Sequence, residues 1–257
     1  MPNLEWDHTM ISTNDDKAIA NQLAKKGLTF NAGGNHKRWG TGNYLGYFGL
    51  NYIELITVTN TKKAETIKRK DGSAVYDAIQ DYFAKRERFN TIALRSDNIE
   101  KTHDYLSKED FPVSDIEEGE RLTPQGEVIK WKIFFINSVI ENDFPYPFFI
   151  QWDGDDRERK RKLQDKGIIT PHSGGNLIAS EAVFVSKNLE KNVKVWEKLL
   201  NRTAIYKNKV YRIKLGEKSL VFKQGDHGHL SALNFIGADK SITGPQLKIK
   251  DIIFNFE

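Results

Sequence analysis

One pattern of secondary structure occurs three times in the sequence, and it restricts the fold more than any other feature. Each copy begins with a strand of apolar and β-branched residues, continues with a polar N-cap and a helix, and ends in further strands. The predicted N-caps are Asn14, Asp97 and Asn188, which lie 83 and 91 residues apart. This spacing is too long for a solenoid repeat and suits duplicated modules joined by linkers of variable length. The pattern predicts an α+β fold of repeated βαβββ modules, which form open, half-barrel, cup-shaped sheets.

The copies also predict the domain organisation. Two modules, at about 5–58 and 90–153, make up a first domain of residues 1–155. A helix in the linker between them carries apolar residues at helical spacing, and we expect it to pack on the outside of the sheet. Residues 170–257 contain a divergent third copy and a shortened fourth copy that begins near Leu230. The segment 31–37 is predicted to be a glycine-rich loop, and 123–126 a turn.

Charge and composition exclude several classes of protein. The 39 Lys and Arg residues against 35 Asp and Glu give a net charge of +4, and the cations are scattered, so we expect no nucleic-acid partner. The absence of cysteine excludes disulfides, thiolate metal sites and cysteine nucleophiles. Neither a signal peptide nor an apolar run of membrane-spanning length is visible. We therefore expect a cytoplasmic protein without membrane contact, in which the charged segment 157–166 is exposed to solvent.

Two ionisable residues stand inside strands that are otherwise apolar. His8 lies near the start of the first strand, and Glu54 lies in the middle of the last strand of the first module. Since a charged group is costly to bury without a partner, we expect the two side chains to meet over one face of a curved sheet. An interpretation that needs no metal is a buried hydrogen bond between the two, which would close the cup.

The repeat and its motifs resemble the vicinal oxygen chelate superfamily, and within it the glyoxalase-like domain proteins. The resemblance covers about residues 5–155. It is carried by five short motifs in matching order: Trp6-Asp7-His8-Thr9-Met10-Ile11, Gly33-Gly34-Asn35-His36, Trp39-Gly40-Thr41-Gly42-Asn43-Tyr44-Leu45, Tyr52-Ile53-Glu54-Leu55 and Phe148-Phe149-Ile150-Gln151-Trp152-Asp153.

The resemblance implies where a metal would bind. In this superfamily the first and last strands of each module can each give one ligand, which here designates His8, Glu54 and Gln151, with Thr91 or a neighbour at the fourth corner. The family pattern at the last two corners is more often His and Glu. Such a site would take Zn, Mn, Fe or Ni. Glu54 and Gln151 would then be the catalytic residues of a metal-dependent enzyme for a small oxygen-bearing substrate, with isomerase, lyase and dioxygenase chemistry all open.

The alternative implied by the same resemblance is a metal-free protein that binds or sequesters a small molecule, as the bleomycin-resistance proteins do. Both hypotheses have the same candidate substrate-binding residues, which are Arg38, Asn43, Trp131 and Trp152. We expect His172 to anchor a turn, His103 to lie on a helix surface, and the pair His227 and His229 to be exposed. The C-terminal modules could form the interface of a homodimer.

Overall fold

Fifteen strands form two curled sheets in the computed structural model, which describes residues 2–122, 128–138, 140, 144–244 and 246–257. The side chains of residues 121 and 122 are not described, and the predicted turn at 123–126 lies outside the described residues. The first sheet has the strand order β2-β3-β4-β1-β5-β8-β7-β6. Its strands are β1 (Leu4–Ser12), β2 (Asn31–His36), β3 (Thr41–Phe48), β4 (Asn51–Val58), β5 (Arg88–Ser96), β6 (Glu117–Leu122), β7 (Val128–Phe134) and β8 (Phe148–Trp152).

The second sheet has the order β10-β11-β12-β9-β13-β15-β14. Its strands are β9 (Gly175–Ser186), β10 (Ile205–Lys207), β11 (Val210–Leu215), β12 (Lys218–Gln224), β13 (His229–Ala238), β14 (Leu247–Ile249) and β15 (Ile252–Phe256). The described helices are α1 (Asp16–Ala24), α2 (Thr61–Ala64), α3 (Ser73–Phe83), α4 (Ile99–Lys108), α5 (Asp156–Asp165) and α6 (Leu189–Leu200).

The topology confirms the repeated module. In each of the first three copies the opening strand pairs in parallel with the closing strand, as β1 with β4, β5 with β8 and β9 with β12. The opening strands of neighbouring modules pair antiparallel at the centre of each sheet, β1 with β5 and β9 with β13. The fourth copy is shortened as predicted, since no helix is described between β13 and β14.

One continuous core lies between the two sheets and takes in their convex faces and the crossing helices. Ile19 and Leu23 of α1, and Val193 and Trp196 of α6, all belong to it and are buried. We call the concave face of the first sheet the first cup, and that of the second sheet the second cup. The first cup is strongly curled, because its edge strands β2 and β6 approach each other, and Arg38 and Glu117 form an ion pair with closest atoms 2.6 Å apart.

Several local predictions were wrong. The segment 31–37 is largely the edge strand β2 rather than a loop, because pairing with β3 overrides its poor β propensity. The caps of α1 and α4 are Asp15 and Asn98, each one residue after the predicted cap. The linker helix α3 packs inside the first cup and not outside, since its buried Val75, Ala78 and Ile79 join the apolar cluster of that concave face. An apolar stripe shows that a helix is buried, but not against which face.

No described helix combines the length and the apolar character needed to cross a bilayer.

Candidate active site in the first cup

The imidazole of His8 projects into the first cup from its central strand. β1 lies between β4 and β5, and His8 is only 3% exposed. Its ring stacks on Tyr52 with centroids 4.3 Å apart, and Phe148 contacts it edge-on at 5.3 Å. Burial holds the pKa of the Tyr52 phenol well above its ordinary value, so this ring stays neutral. The strand and two aromatic rings therefore fix the orientation of His8.

A β-bulge allows Asp7, the chain neighbour of His8, to bond to it. Trp6 pairs with Leu94 and His8 with Ala93, so Asp7 is the extra residue of β1. Adjacent residues of a regular strand point to opposite faces, whereas a bulge re-aims one of them. Asp7 Oδ1 consequently lies 2.7 Å from His8 Nδ1.

Asp7 is fully buried and held by several donors. Its Oδ2 accepts hydrogen bonds from Trp152 Nε1 at 3.0 Å and from Arg95 Nη1 at 3.2 Å. Burial alone would raise the pKa of Asp7, but the His8 hydrogen bond and the charges of Arg159 and Arg95 outweigh it and hold this pKa at about 2. An ionised Asp7 accepts a hydrogen bond from the Nδ1–H of His8 and leaves Nε2 directed at the cup.

Glu54 meets that nitrogen from the neighbouring strand. It is 7% exposed, and its Oε2 lies 3.7 Å from His8 Nε2. Asn43 Nδ2 donates to the other oxygen, Oε1, at 2.6 Å, and His36 Nε2 lies 3.9 Å from it. The meeting of His8 and Glu54 over one face of the sheet, expected from the sequence, is thus observed, and Asn43 lies beside them.

These groups line a half-open cavity of about 60 Å³. Its polar side consists of His8, His36, Asn43 and Glu54, all from the first module. The second module and α3 supply an apolar side made of Val75, Trp131, Ile133, Phe135, Phe148, Ile150 and Trp152. Trp131 and Trp152 lie 5.6 Å apart between ring centroids, so both predicted tryptophans line the cavity. The two modules therefore differ sharply in chemistry.

Gln151 does not reach the cavity, contrary to the sequence-based assignment of a metal and catalytic role. Its neighbours Ile150 and Trp152 face the cup, so alternation along β8 turns Gln151 to the other side. There its Oε1 accepts a hydrogen bond from the backbone N–H of Ile99 at 2.7 Å, at the start of α4. The hydroxyl of Thr91 also has another partner, since it donates a hydrogen bond to the Tyr146 carbonyl at 2.7 Å. Among its described residues, the second module brings no metal-ligating side chain to His8 and Glu54.

Arg38 lies at the rim of the cup and not at the His8 cavity. Its guanidinium pairs with Glu117 across the mouth of the cup, and it lies over the Trp39 ring at 5.6 Å. In this conformation it closes the rim and does not line the His8 cavity.

The residues present do not fit the metal centre that the resemblance implies. A catalytic zinc site usually has three protein ligands. Here His8 and Glu54 offer two donors. The nearby His36 Nε2 is directed at Asn43 Nδ2, 3.5 Å away, and the positions that the second module places opposite the two donors are apolar. Among the described residues, no group of three or more His, Asp or Glu side chains is arranged to hold a metal ion.

Of the other histidines, His227 is exposed as expected, whereas His229 is half-buried at the start of β13 because this strand pairs with β9. His172 and His103 have structural contacts. His172 Nε2 donates to the Tyr47 carbonyl at 2.7 Å and Nδ1 accepts from Thr29 N–H at 2.9 Å, so this residue anchors its turn as expected. His103 is not a plain surface residue, since it bonds to the Ser114 carbonyl at 2.9 Å and packs edge-on against Phe134. The sequence analysis did not identify Asp7 or Tyr52 as site residues. A carboxylate directly before a histidine in an apolar strand was the available signal for Asp7.

Comparison with known proteins identifies the family of the chain. The model of the glyoxalase-like domain family matches residues 6–200. No curated protein matches the sequence significantly. A hypothetical protein from Staphylococcus aureus is similar over 99% of both chains, with 25% identity and a TM-score of 0.85.

Two further structures share the fold at low sequence identity. A triple mutant of 4-hydroxymandelate synthase from Streptomyces coelicolor has a TM-score of 0.57 and 9% identity, over 93% of this chain and 72% of that one. The Mn(II)-bound glyoxalase from Novosphingobium aromaticivorans has a TM-score of 0.53 and 11% identity, over 95% and 69% of the two chains.

Proposed function

Because the chain belongs to the glyoxalase-like domain family, we propose that it is an enzyme of the vicinal oxygen chelate fold that moves a proton on a small oxygen-bearing substrate. His8 and Glu54 are the acid–base pair, and the reaction does not depend on a metal ion. The observation that carries this proposal is the chain of contacts Asp7–His8–Glu54, in which a buried carboxylate orients the imidazole and a second carboxylate faces its free nitrogen across 3.7 Å.

In the proposed reaction one member of the pair carries a proton and the other does not. The member without the proton removes a proton from the carbon next to a carbonyl group, while the other member protonates the carbonyl oxygen, and an enol results. In the return step the first member gives a proton to carbon and the second takes the enol O–H proton back, which restores the carbonyl group and both members of the pair. Asp7 stabilises the imidazolium form of His8, and Asn43 holds the Glu54 carboxylate in place. Asp7 and Asn43 are therefore positioning residues.

The size of the cavity restricts the substrate. The cavity has a volume of only about 60 Å³. Only the few atoms that react can lie against His8 and Glu54, with their oxygen on the polar side and their carbon on the Phe148 side. Any larger part of the molecule has to lie outside this cavity.

Exchange of carbon-bound protons tests the proposal. We expect the wild-type protein to accelerate the exchange of α-protons for deuterium, followed by NMR in D₂O, on at least one member of a panel containing hydroxyacetone, pyruvate and 2-oxobutanoate. His8→Gln and Glu54→Gln should each reduce the rate by a factor of about 100 or more. The same rate before and after chelation, with less than stoichiometric metal by mass spectrometry, is expected.

Two results would overturn this assignment. One is exchange on no member of the panel. The other is exchange that disappears on chelation and returns with a stoichiometric divalent ion, which would restore the metal-dependent interpretation despite the two-donor set.

A second candidate function is metal-free binding or sequestration, favoured by the apolar side of the cavity. In that case a ligand would raise the melting temperature of wild type and His8→Gln alike by mass action, without any proton exchange.

A further inference from the structure

A second and larger cavity lies next to the candidate active site, between α5 and the first sheet. This space, which we call the α5 cleft, has a volume of about 300 Å³. On the helix side it is lined by Asp155, the N-cap of α5, by Glu158, Arg159, Lys162 and Leu163 of α5, and by Lys166 and Ile168 after the helix. On the other side it is lined by Tyr47, Val128, Ile129, Lys130 and Trp152 of the sheet, and by Asp153 and Gly154, which follow β8. It is large enough for the part of a substrate that the His8 cavity cannot hold.

The apolar part of the α5 cleft is one side chain away from His8. Tyr47 and Leu163 are buried in one cluster with Tyr52, and Trp152 packs against it. Tyr47 lies 5.0 Å from Tyr52, which is the ring that stacks on His8. Trp152 lines both the α5 cleft and the His8 cavity. A flat apolar group would find aromatic surfaces in the cleft.

Arg159 is the polar group of the cleft that a ligand could bind. Its side chain is 12% exposed, and its guanidinium carbon lies 4.1 Å from the Trp152 ring centroid. The guanidinium makes no hydrogen bond with any residue that the structure describes. Its Nη1 is buried without a hydrogen-bond partner and forms only a long ion pair with Asp7 Oδ2, at 3.9 Å. Arg95 differs, because its guanidinium donates hydrogen bonds to Glu5 and Asp7 and also pairs with Asp156. A nearly buried guanidinium with unused donors is an uncommon arrangement, since such groups normally find acceptors.

The acidic residues that line the cleft do not pair with Arg159, whose only described ion pair is the one with Asp7. Glu158 pairs with Lys162 at 2.9 Å, and both are more than half exposed. Asp155 accepts the backbone N–H groups of Arg157 and Glu158 as the N-cap of α5. Asp153 is exposed at the rim. Arg159 therefore presents to the cleft a largely buried guanidinium that stacks on Trp152, and its planar fork matches a carboxylate.

We propose that the α5 cleft binds a small organic acid, with the carboxylate on Arg159 and the apolar body against Trp152, Tyr47 and Leu163. The inference rests on the proposed function in one respect, because it takes this acid to be the molecule on which His8 acts. It narrows the substrate from an oxygen-bearing compound to a carboxylic acid with an apolar or aromatic body.

Paired acids and amides test the charge recognition. We would measure binding of benzoate and 3-phenylpropanoate, each against its neutral amide, by calorimetry and by tryptophan fluorescence at neutral pH. Wild type should bind at least one acid about 10-fold more tightly than the amide of the same shape, as expected for a charged hydrogen bond. Arg159→Gln should remove that preference. Arg161→Gln, an exposed cation on the same helix, should keep it.

Arg159 also lies close to Asp7, so a second variant covers the case in which Arg159→Gln does not fold. Arg159→Lys keeps the charge near Asp7 but loses the planar fork, and it should bind the acid about 10-fold more weakly than wild type. Equal binding of acid and amide by wild type, or a preference that survives in both Arg159 variants, would overturn the inference.

Failure of this inference and failure of the proposed function give different results. His8→Gln does not alter the lining of the α5 cleft, so it should bind the acid as tightly as wild type while proton exchange is lost. Acid binding without exchange on any substrate would refute only the acid–base assignment. Exchange without acid preference would refute only the role of Arg159.

Discussion

The two cups have the same strand arrangement and very different contents. His8 and Glu181 both lie seven positions before the N-cap of the next helix, in β1 and β9. In the first cup Met10 pairs with Glu54, and at the matching place in the second cup Val183 pairs with Val221. In the second cup Val221 therefore occupies the position that corresponds to Glu54, and Glu181 occupies the position that corresponds to His8.

The polar groups of the second cup satisfy one another. Glu181 pairs with Arg212 and accepts a hydrogen bond from Asn234 at 2.9 Å. Asn234 in turn accepts from Asn255 at 2.8 Å. In the first cup, by contrast, a gap of 3.7 Å separates His8 from Glu54 and α3 covers the face. The comparison teaches that the module specifies a cup, whereas a bulge, a covering helix and a few side chains decide whether that cup has a reactive site.

The largest expected effect distinguishes the cups by activity. His8→Gln should lower the rate of proton exchange by a factor of about 100 or more, because the oriented base is lost. Glu181→Gln, at the matching position of the second cup, should leave the rate unchanged. Deuterium exchange followed by NMR measures both variants under one set of conditions. A comparable loss of the exchange rate in Glu181→Gln would contradict the assignment of the chemistry to the first cup.

The next effect concerns the helix that covers the first cup. Ile79 of α3 is 1% exposed, so Ile79→Ala should lower the free energy of unfolding by about 2–5 kcal/mol. Val221→Ala removes less buried surface from the uncovered second cup and should cost about 1–2 kcal/mol. Urea unfolding at neutral pH compares the two. If Ile79→Ala costs less than Val221→Ala, α3 does not seal the first cup.

A pH effect is expected at the contact between the two sheets. Lys218 of β12 lies over Trp6 of β1 with its Nζ 5.5 Å from the ring centroid, and burial lowers the pKa of Lys218 to about 8. Between pH 8 and 10.5 the unfolded chain holds a proton that the folded chain has lost, so stability rises with pH. The gain is at most about 3 kcal/mol.

Lys218→Met should lack this rise, which unfolding at pH 8 and pH 10 would reveal. Lys214→Met, at an exposed position of β11, is the control and should behave as wild type. A wild-type protein whose pH dependence matches that of Lys218→Met would contradict the burial of this ammonium group between the sheets.

The smallest effect is expected at His172, which ties the segment before the second sheet to the first sheet. Burial lowers the pKa of His172, and its Nδ1 must stay unprotonated to accept from Thr29 N–H. Below about pH 6.5 the unfolded chain binds a proton that the folded chain resists, so stability falls as the pH falls. From pH 7 to 5.5, wild type should lose roughly 1 kcal/mol more than His172→Asn, whose amide does not titrate. Equal losses in thermal or urea unfolding would refute this role.

Much of the architecture followed from local patterns. The strands, the three cap regions and the meeting of His8 with Glu54 were predictable, because alternation and capping are set by nearby residues. Gln151 shows where such reasoning fails. A strand assigned one residue out of register turns every side chain to the wrong face, and the motif around 148–153 contains apolar residues on both faces of β8. The orientation of Asp7 depends on a bulge, which forms only when β1 pairs with β5.

The sequence by itself determined the repeated module, the α+β class and the placement of an imidazole and a carboxylate on one strand pair, since each depends on periodicity and short-range spacing. Only the tertiary structure decided that Asp7 bonds to His8, that the second module faces them with apolar side chains, and that α3 fills the cup while Arg159 stacks on Trp152. These features depend on register and on contacts between residues far apart in the chain, where packing and the need to satisfy buried polar groups select one arrangement among several that the local pattern permits.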